Sequence, residues 1–149
     1  MGTISTVTIG TDTFSVYALT SNAVTDCDSF WNVRIGAAAT AWAAASAADK
    51  ARCLAMASDW VDRASDFSGT KTVSTQPRDW PRDSASCGDD SVTSGTTPDS
   101  LAYATFWLAG QIIVDNSAAD SDGTGSNVRS AKAGSAKVEF FSQTSGNRL

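Results

Sequence analysis

The stretch "AWAAASAADKARCLAMASDWVDRASDFSGT", residues 41–70, decides the class of fold. Ser46 stands where a helix cap belongs, because its hydroxyl can accept an orphan amide of the first turn. Asp49 puts a carboxylate at the positive end of the helix dipole. From there Cys53, Leu54, Ala57, Trp60, Val61 and Ala64 recur at helical spacing on one face. Lys50, Arg52, Asp59, Asp62 and Arg63 fall mostly elsewhere. The spacing predicts an amphipathic helix ending near Ser65, with Gly69 helping the chain to leave it. The Ala-rich run before it, carrying Trp42, predicts a short helical turn of its own.

Toward the N-terminus, "TISTVTIGTDTFSVYA" (residues 3–18) alternates β-branched and polar residues. It predicts two short strands around Gly10-Thr11-Asp12. Thr20 or Ser21 is then expected to cap a helix that reaches about Ile35 and is ended by Gly36. Val24, Cys27, Trp31 and Ile35 form its apolar stripe, with Phe30 beside it.

Toward the C-terminus, residues 68–98 read as a long polar loop, of the kind that is functional, an interaction arm or partly disordered. "QPRDWPR" (residues 76–82) is its aromatic anchor; the prolines should hold it extended, and Trp80 needs somewhere to bury. Thr97-Pro98-Asp99 predicts the start of another helix, running to about Ala119. Leu101, Ala104, Leu108 and Ile112 make one stripe, and Ala102, Phe106, Trp107, Ile113 and Val114 cover much of the rest. A helix apolar nearly all round is expected to be central or buried against a neighbouring subunit. "DSDGTGSN" (residues 120–127) reads as a linker, and "VRSAKAGSAKVEFF" (residues 128–141) as a hairpin turning near Ala133-Gly134-Ser135. The whole is expected to be mainly α: a small bundle of three to four helices with short strands or hairpins at both ends, in a single domain over residues 1–149.

The residue inventory offers little for catalysis. The 149 residues include no histidine, so Ser-His and Cys-His nucleophile pairs are impossible and the commonest general base is missing. No phosphate-binding loop or nucleophile elbow occurs. Asp89-Asp90 lies in a polar loop where full solvation is expected. Asp120 and Asp122 faintly suggest a calcium loop, but Thr124 takes an oxygen position and the closing acid would fall on Ala131. No enzyme activity, cofactor or metal is expected. The three cysteines give no disulfide framework: Cys27 and Cys53 suit a core, Cys87 is a loop thiol, and the compartment is expected to be reducing. No apolar run approaches the ~20 residues of a membrane span, so no membrane partner is expected.

A net charge of −5 opposes a basic grip on duplex nucleic acid. Arg78, Trp80 and Arg82 are nevertheless the types that stack on and neutralise a single strand. The competing reading is a Trp plug between two exposed arginines. Arg129, Lys132 and Lys137 on the terminal hairpin complete the candidate contact residues, either as solvated charges or facing an acidic partner surface.

The order of these pieces is similar to that of a known group. Trp42 with its alanines is followed by Asp49-Lys50, by Trp60 and Asp62, by Phe67-Ser68-Gly69 with Thr72, by Trp80-Pro81-Arg82 and by the final "KVEFF". This resembles tailed-phage proteins encoded beside portal and capsid genes. They are often labelled DnaT-like single-stranded-DNA-binding proteins and look like head-tail connector or neck adaptor proteins. The resemblance implies a structural virion protein in the phage neck, made in the bacterial host cytoplasm. It implies a ring, commonly of twelve copies, docked on the portal protein and joined to a stopper or tail-completion protein, with genomic DNA passing through unbound. The Arg78 to Arg82 arm, residues 83–97 and the 128–141 hairpin would then be the contact elements. The family label itself implies the alternative, a single-stranded nucleic-acid-binding module.

Overall fold

The computed structural model describes residues 1–115, 130–133 and 136–139. The chain divides into two compact units, Met1–Val114 and Asp115–Leu149. Within the first, β1 (Thr3–Ile9) and β2 (Asp12–Ala18) pair antiparallel along their full length, Thr3 opposite Ala18 and Ile9 opposite Asp12. Gly10, the first of the two turn residues, takes φ +66°, as a type II′ hairpin turn demands of that position. Val16, Tyr17 and Ala18 at the end of β2 are buried, whereas Phe14 stays outside.

Helix α1 (Ala23–Asn32) is capped by Asn22, whose side chain accepts from the Thr25 amide at 3.1 Å. Neither Thr20 nor Ser21, the expected caps, takes this place, and Thr20 is committed elsewhere. Its hydroxyl and amide both donate to the Asp26 carboxylate, which also receives the Leu19 amide. The helix stops at Asn32, so Ile35 leaves the predicted stripe and is 98% exposed, while Cys27, Phe30 and Trp31 stay buried. Helix α2 (Ala37–Ala44) buries Trp42, whose indole N–H donates to Asp28 at 2.8 Å. The Lys50 ammonium meets the same carboxylate oxygen at 2.8 Å, so one acid of α1 locks both following helices.

Helix α3 (Ala47–Ala64) has the predicted Ser46 cap, accepting from the Asp49 amide at 3.1 Å. Its buried face is wider than the predicted stripe, because it packs on both the hairpin and the last helix. Ala51, Ala55 and Ser58 go inside, Trp60 is half-buried and Ala64 is exposed.

The expected long loop is built structure. β3 (Thr70–Lys71) pairs with β4 (Arg82–Asp83), and β5 (Ser86–Cys87) with β6 (Asp90–Ser91). Single bridges join Gly2 to Thr97 and Arg82 to Thr96. The prolines do not simply hold the segment extended: the Trp80–Pro81 peptide is cis. Gly69, at φ +76°, lets the chain pass against the Asp83 carbonyl, where a side chain would collide.

Helix α4 (Asp99–Val114) buries Leu101, Ala102, Thr105, Phe106, Ala109, Gly110 and Ile112. Ala104, expected inside, is exposed, and Leu108 is half-buried. The reason is Gly110: lacking a side chain, it admits the Trp31 ring and rotates the buried face toward its own side of the helix. Helix propensity alone favours alanine there by about 1 kcal/mol. A methyl at this position would run into Cζ2 and Cε2 of Trp31. That ring is fixed, its N–H donating to the Phe106 carbonyl at 3.0 Å. Gly110→Ala is therefore expected to lose about 1–3 kcal/mol in urea unfolding. A gain in stability would mean that the indole yields freely.

In the second unit, β7 (Ser130–Ala133) pairs antiparallel with β8 (Ala136–Glu139), Lys132 opposite Lys137. Arg129, the 120–127 linker, the Gly134-Ser135 turn and the 116–119 end of the expected helix lie outside the described residues.

Candidate functional site

Among the described candidates, Arg78, Trp80 and Arg82 come together as internal fastenings. Arg78 is only 8% exposed. Its Nε donates to the Ser15 carbonyl at 2.8 Å, and its Nη1 lies 3.1 Å from Asp62 and 2.6 Å from Asp59. The Tyr17 hydroxyl donates to the other oxygen of Asp62. Burial, followed by that hydrogen bond, holds the Tyr17 phenol above its ordinary range. Trp80 is 4% exposed and packs with Tyr17, Val61, Ala85 and Leu101, edge-on to Phe67. Arg82 spends its guanidinium on the carbonyls of Phe67, Ser68, Gly69 and Asp79. The arginines beside Trp80 are thus not the exposed pair that the sequence suggested, and Trp80 offers no open face to a base. Lys132 and Lys137 stand opposite one another in the β7–β8 register. Arg129 lies outside the described residues.

A different face has the makings of a stacking platform. Tyr103 and Trp107 sit four residues apart on α4 and are 45% and 53% exposed. Spacing of four places both on one face of the helix, away from Leu101 and Ile112, with Tyr103 meeting the buried Phe106 ring edge to face at 6.4 Å. Each ring is backed by a buried aromatic of α1: Tyr103 stacks on Phe30 (6.1 Å, 29°) and Trp107 on Trp31 (5.6 Å, 24°). Phe30 and Trp31 brace each other edge to face at 5.2 Å. The outer rings are therefore held in orientation before any ligand arrives.

Just past the end of α1, Arg34 lies over the Phe30 ring, 3.5 Å from its centroid, and donates to the Phe30 carbonyl. It is the lone basic residue in the first 49 of the chain, and neither α2 nor α4 contains another. Two shallow grooves flank it. One is lined by Trp107, Gln111 and Val114, the other by Thr40, Ala43 and Ala44, and both share Trp31, Arg34 and Ile35. The face is thus aromatic and nearly neutral, with one cation at its edge. The sequence signal that could have found it is the Tyr103–Trp107 pair at helical spacing, with Gly110 three residues past Trp107 on the same side of the helix.

No group of side chains able to hold a metal ion occurs among the described residues. Among them, too, no helix is long and apolar enough to cross a membrane. The Cys53 thiol is pushed up to about 11, by burial first and then by Asp49. Burial, with Asp28 adding to it, also raises the Cys27 thiol. Both are kept protonated and poor as nucleophiles. Cys87 is exposed and free.

Residues 16–148 match the family described as "Putative DnaT-like ssDNA binding protein". No curated protein and no solved structure matches the chain. The expectation of a head-tail connector function is corrected by this match. The family description points to DNA binding, the reading first held as the alternative. With the match covering most of its length, the chain belongs to the DnaT-like ssDNA binding protein family.

Proposed function

We propose that this protein is a non-catalytic module for single-stranded nucleic acid, and that bases stack on Tyr103 and Trp107 beside Arg34. The observation that carries the reading is the pair of exposed, backed aromatic rings on α4 in a member of this family. Every base has a π-face, so such a platform takes unpaired strands with little regard to sequence. A duplex keeps its bases stacked inside and offers these rings nothing. The net charge of −5 works against the polyanion, so the contact is selective for unpaired bases without being tight. The protonated core thiols and the absence of histidine fit a role in binding rather than chemistry.

Fluorescence anisotropy with a labelled 20-nucleotide thymidylate, against the same length of duplex, tests the reading. Single strand is expected to bind and duplex to fail. Trp107→Ala and Tyr103→Ala are each expected to weaken binding by about 1–3 kcal/mol while leaving the helical circular dichroism intact. Binding unaffected by both substitutions would move the interface elsewhere, and no binding to any single strand would sink the reading.

A further inference from the structure

Resting on that reading, we infer that each chain grips two unpaired, mutually unstacked bases and neutralises one phosphate, through Arg34, so that its affinity barely responds to salt. The base count follows from the rings. One face of Tyr103 is taken by Phe30 and one face of Trp107 by Trp31, which leaves each ring a single outer face. The two residues are four apart on α4, which separates them by about 6 Å along the helix axis at ~1.5 Å per residue. Bases stacked as in a duplex strand rise only ~3.4 Å each. Neighbouring bases must therefore separate from one another to lie on both rings, and a strand already held in stacked form is rejected.

The phosphate count follows from the charges. α4 has no basic residue, and Arg34 is the lone basic side chain from Met1 to Asp49, the Met1 ammonium being paired with Asp99 at 2.9 Å. Its guanidinium is half-oriented by the Phe30 ring and carbonyl, and it borders both grooves that flank Trp31. Each phosphate neutralised on a single strand contributes a slope of about −0.7 to log K against log salt. One contact thus predicts a loss of only about threefold in affinity between 50 and 200 mM salt. Most single-strand binders track the backbone along a positive groove and respond steeply. This chain takes its affinity from stacking.

The test is anisotropy with labelled thymidylates of 4 and 20 nucleotides over that salt range. The expected results are a slope near −0.7, nearly equal affinity per site for the two lengths, and a slope near zero in Arg34→Gln. Trp107→Ala should weaken binding about 5- to 150-fold, and Trp107→Phe, which keeps a ring and controls for folding, much less. Binding of both lengths with a slope of −2 or steeper, indifferent to Trp107→Ala and lost in Lys132→Gln/Lys137→Gln, would overturn the inference. It would hand the grip to the terminal hairpin yet leave single-strand binding standing. Failure of the unmodified protein to bind either length would remove both.

Discussion

Trp80→Ala is expected to lower the unfolding free energy by about 3–5 kcal/mol, the range for removing a buried large aromatic. Trp80 is the sole tryptophan of the 68–98 segment, and it lies 4% exposed among Tyr17 of the hairpin, Val61 of α3 and Leu101 of α4. Removing it takes away the residue by which the segment is sealed onto three separate elements. The neighbouring arginines hold backbone carbonyls and cannot collapse into the space. The indole also carries a cost: among the described residues its N–H finds no acceptor. An unpaired buried donor costs about 1–3 kcal/mol. Trp80→Phe removes that donor along with some packing, so it is expected to cost far less than alanine. Urea unfolding followed by circular dichroism checks both. A loss under about 1 kcal/mol for alanine would mean that residues 68–98 do not belong to the cooperative unit.

The elements that were legible in the sequence are those made by neighbours along the chain. The Ser46 cap, the Asp49 first turn and the Gly10 hairpin turn need only a few adjacent residues, and the structure has them as read. The cap of α1 falls one or two residues later than expected because Thr20, Ser21 and Asn22 are all good caps. Asp26, six residues on from Thr20, takes Thr20 out of the choice by claiming its hydroxyl. Residues 68–98 looked like a loose arm because their order comes from Arg78, Trp80 and Arg82 reaching distant carbonyls, carboxylates and rings. Composition carries no trace of such contacts. On α4, apolar residues all round leave the choice of buried face open. Gly110 settles it by accepting Trp31, and Tyr103 and Trp107 are left outside. Low charge, a polar segment and an all-round apolar helix suit a subunit interface and a stacking surface equally well. The assembly role therefore rested on the resemblance, and the family match reversed it.

Arg78→Met should be about as damaging as the loss of Trp80, for an electrostatic reason. The guanidinium is buried and answers three oxygens from two elements: the Ser15 carbonyl of β2 and the carboxylates of Asp59 and Asp62 on α3. Asp59 is 60% exposed, so its share is small, of the order of a surface ion pair. Asp62 is only 16% exposed and has already given its other oxygen to Tyr17. Methionine fills much of the volume but leaves that carboxylate without its cation and the Ser15 carbonyl without this donor. Breaking one side of a buried pair costs about 3–5 kcal/mol, most of it the penalty on the partner left behind. The penalty should therefore shrink when the partner is neutralised. Asp62→Asn added to Arg78→Met is expected to cost less than the two single losses summed, by about 1–3 kcal/mol. A double-mutant cycle in urea measures this directly. Additive losses, or a loss under about 1 kcal/mol for Arg78→Met alone, would show that Arg78 is solvated and that the segment is held by Trp80 without it.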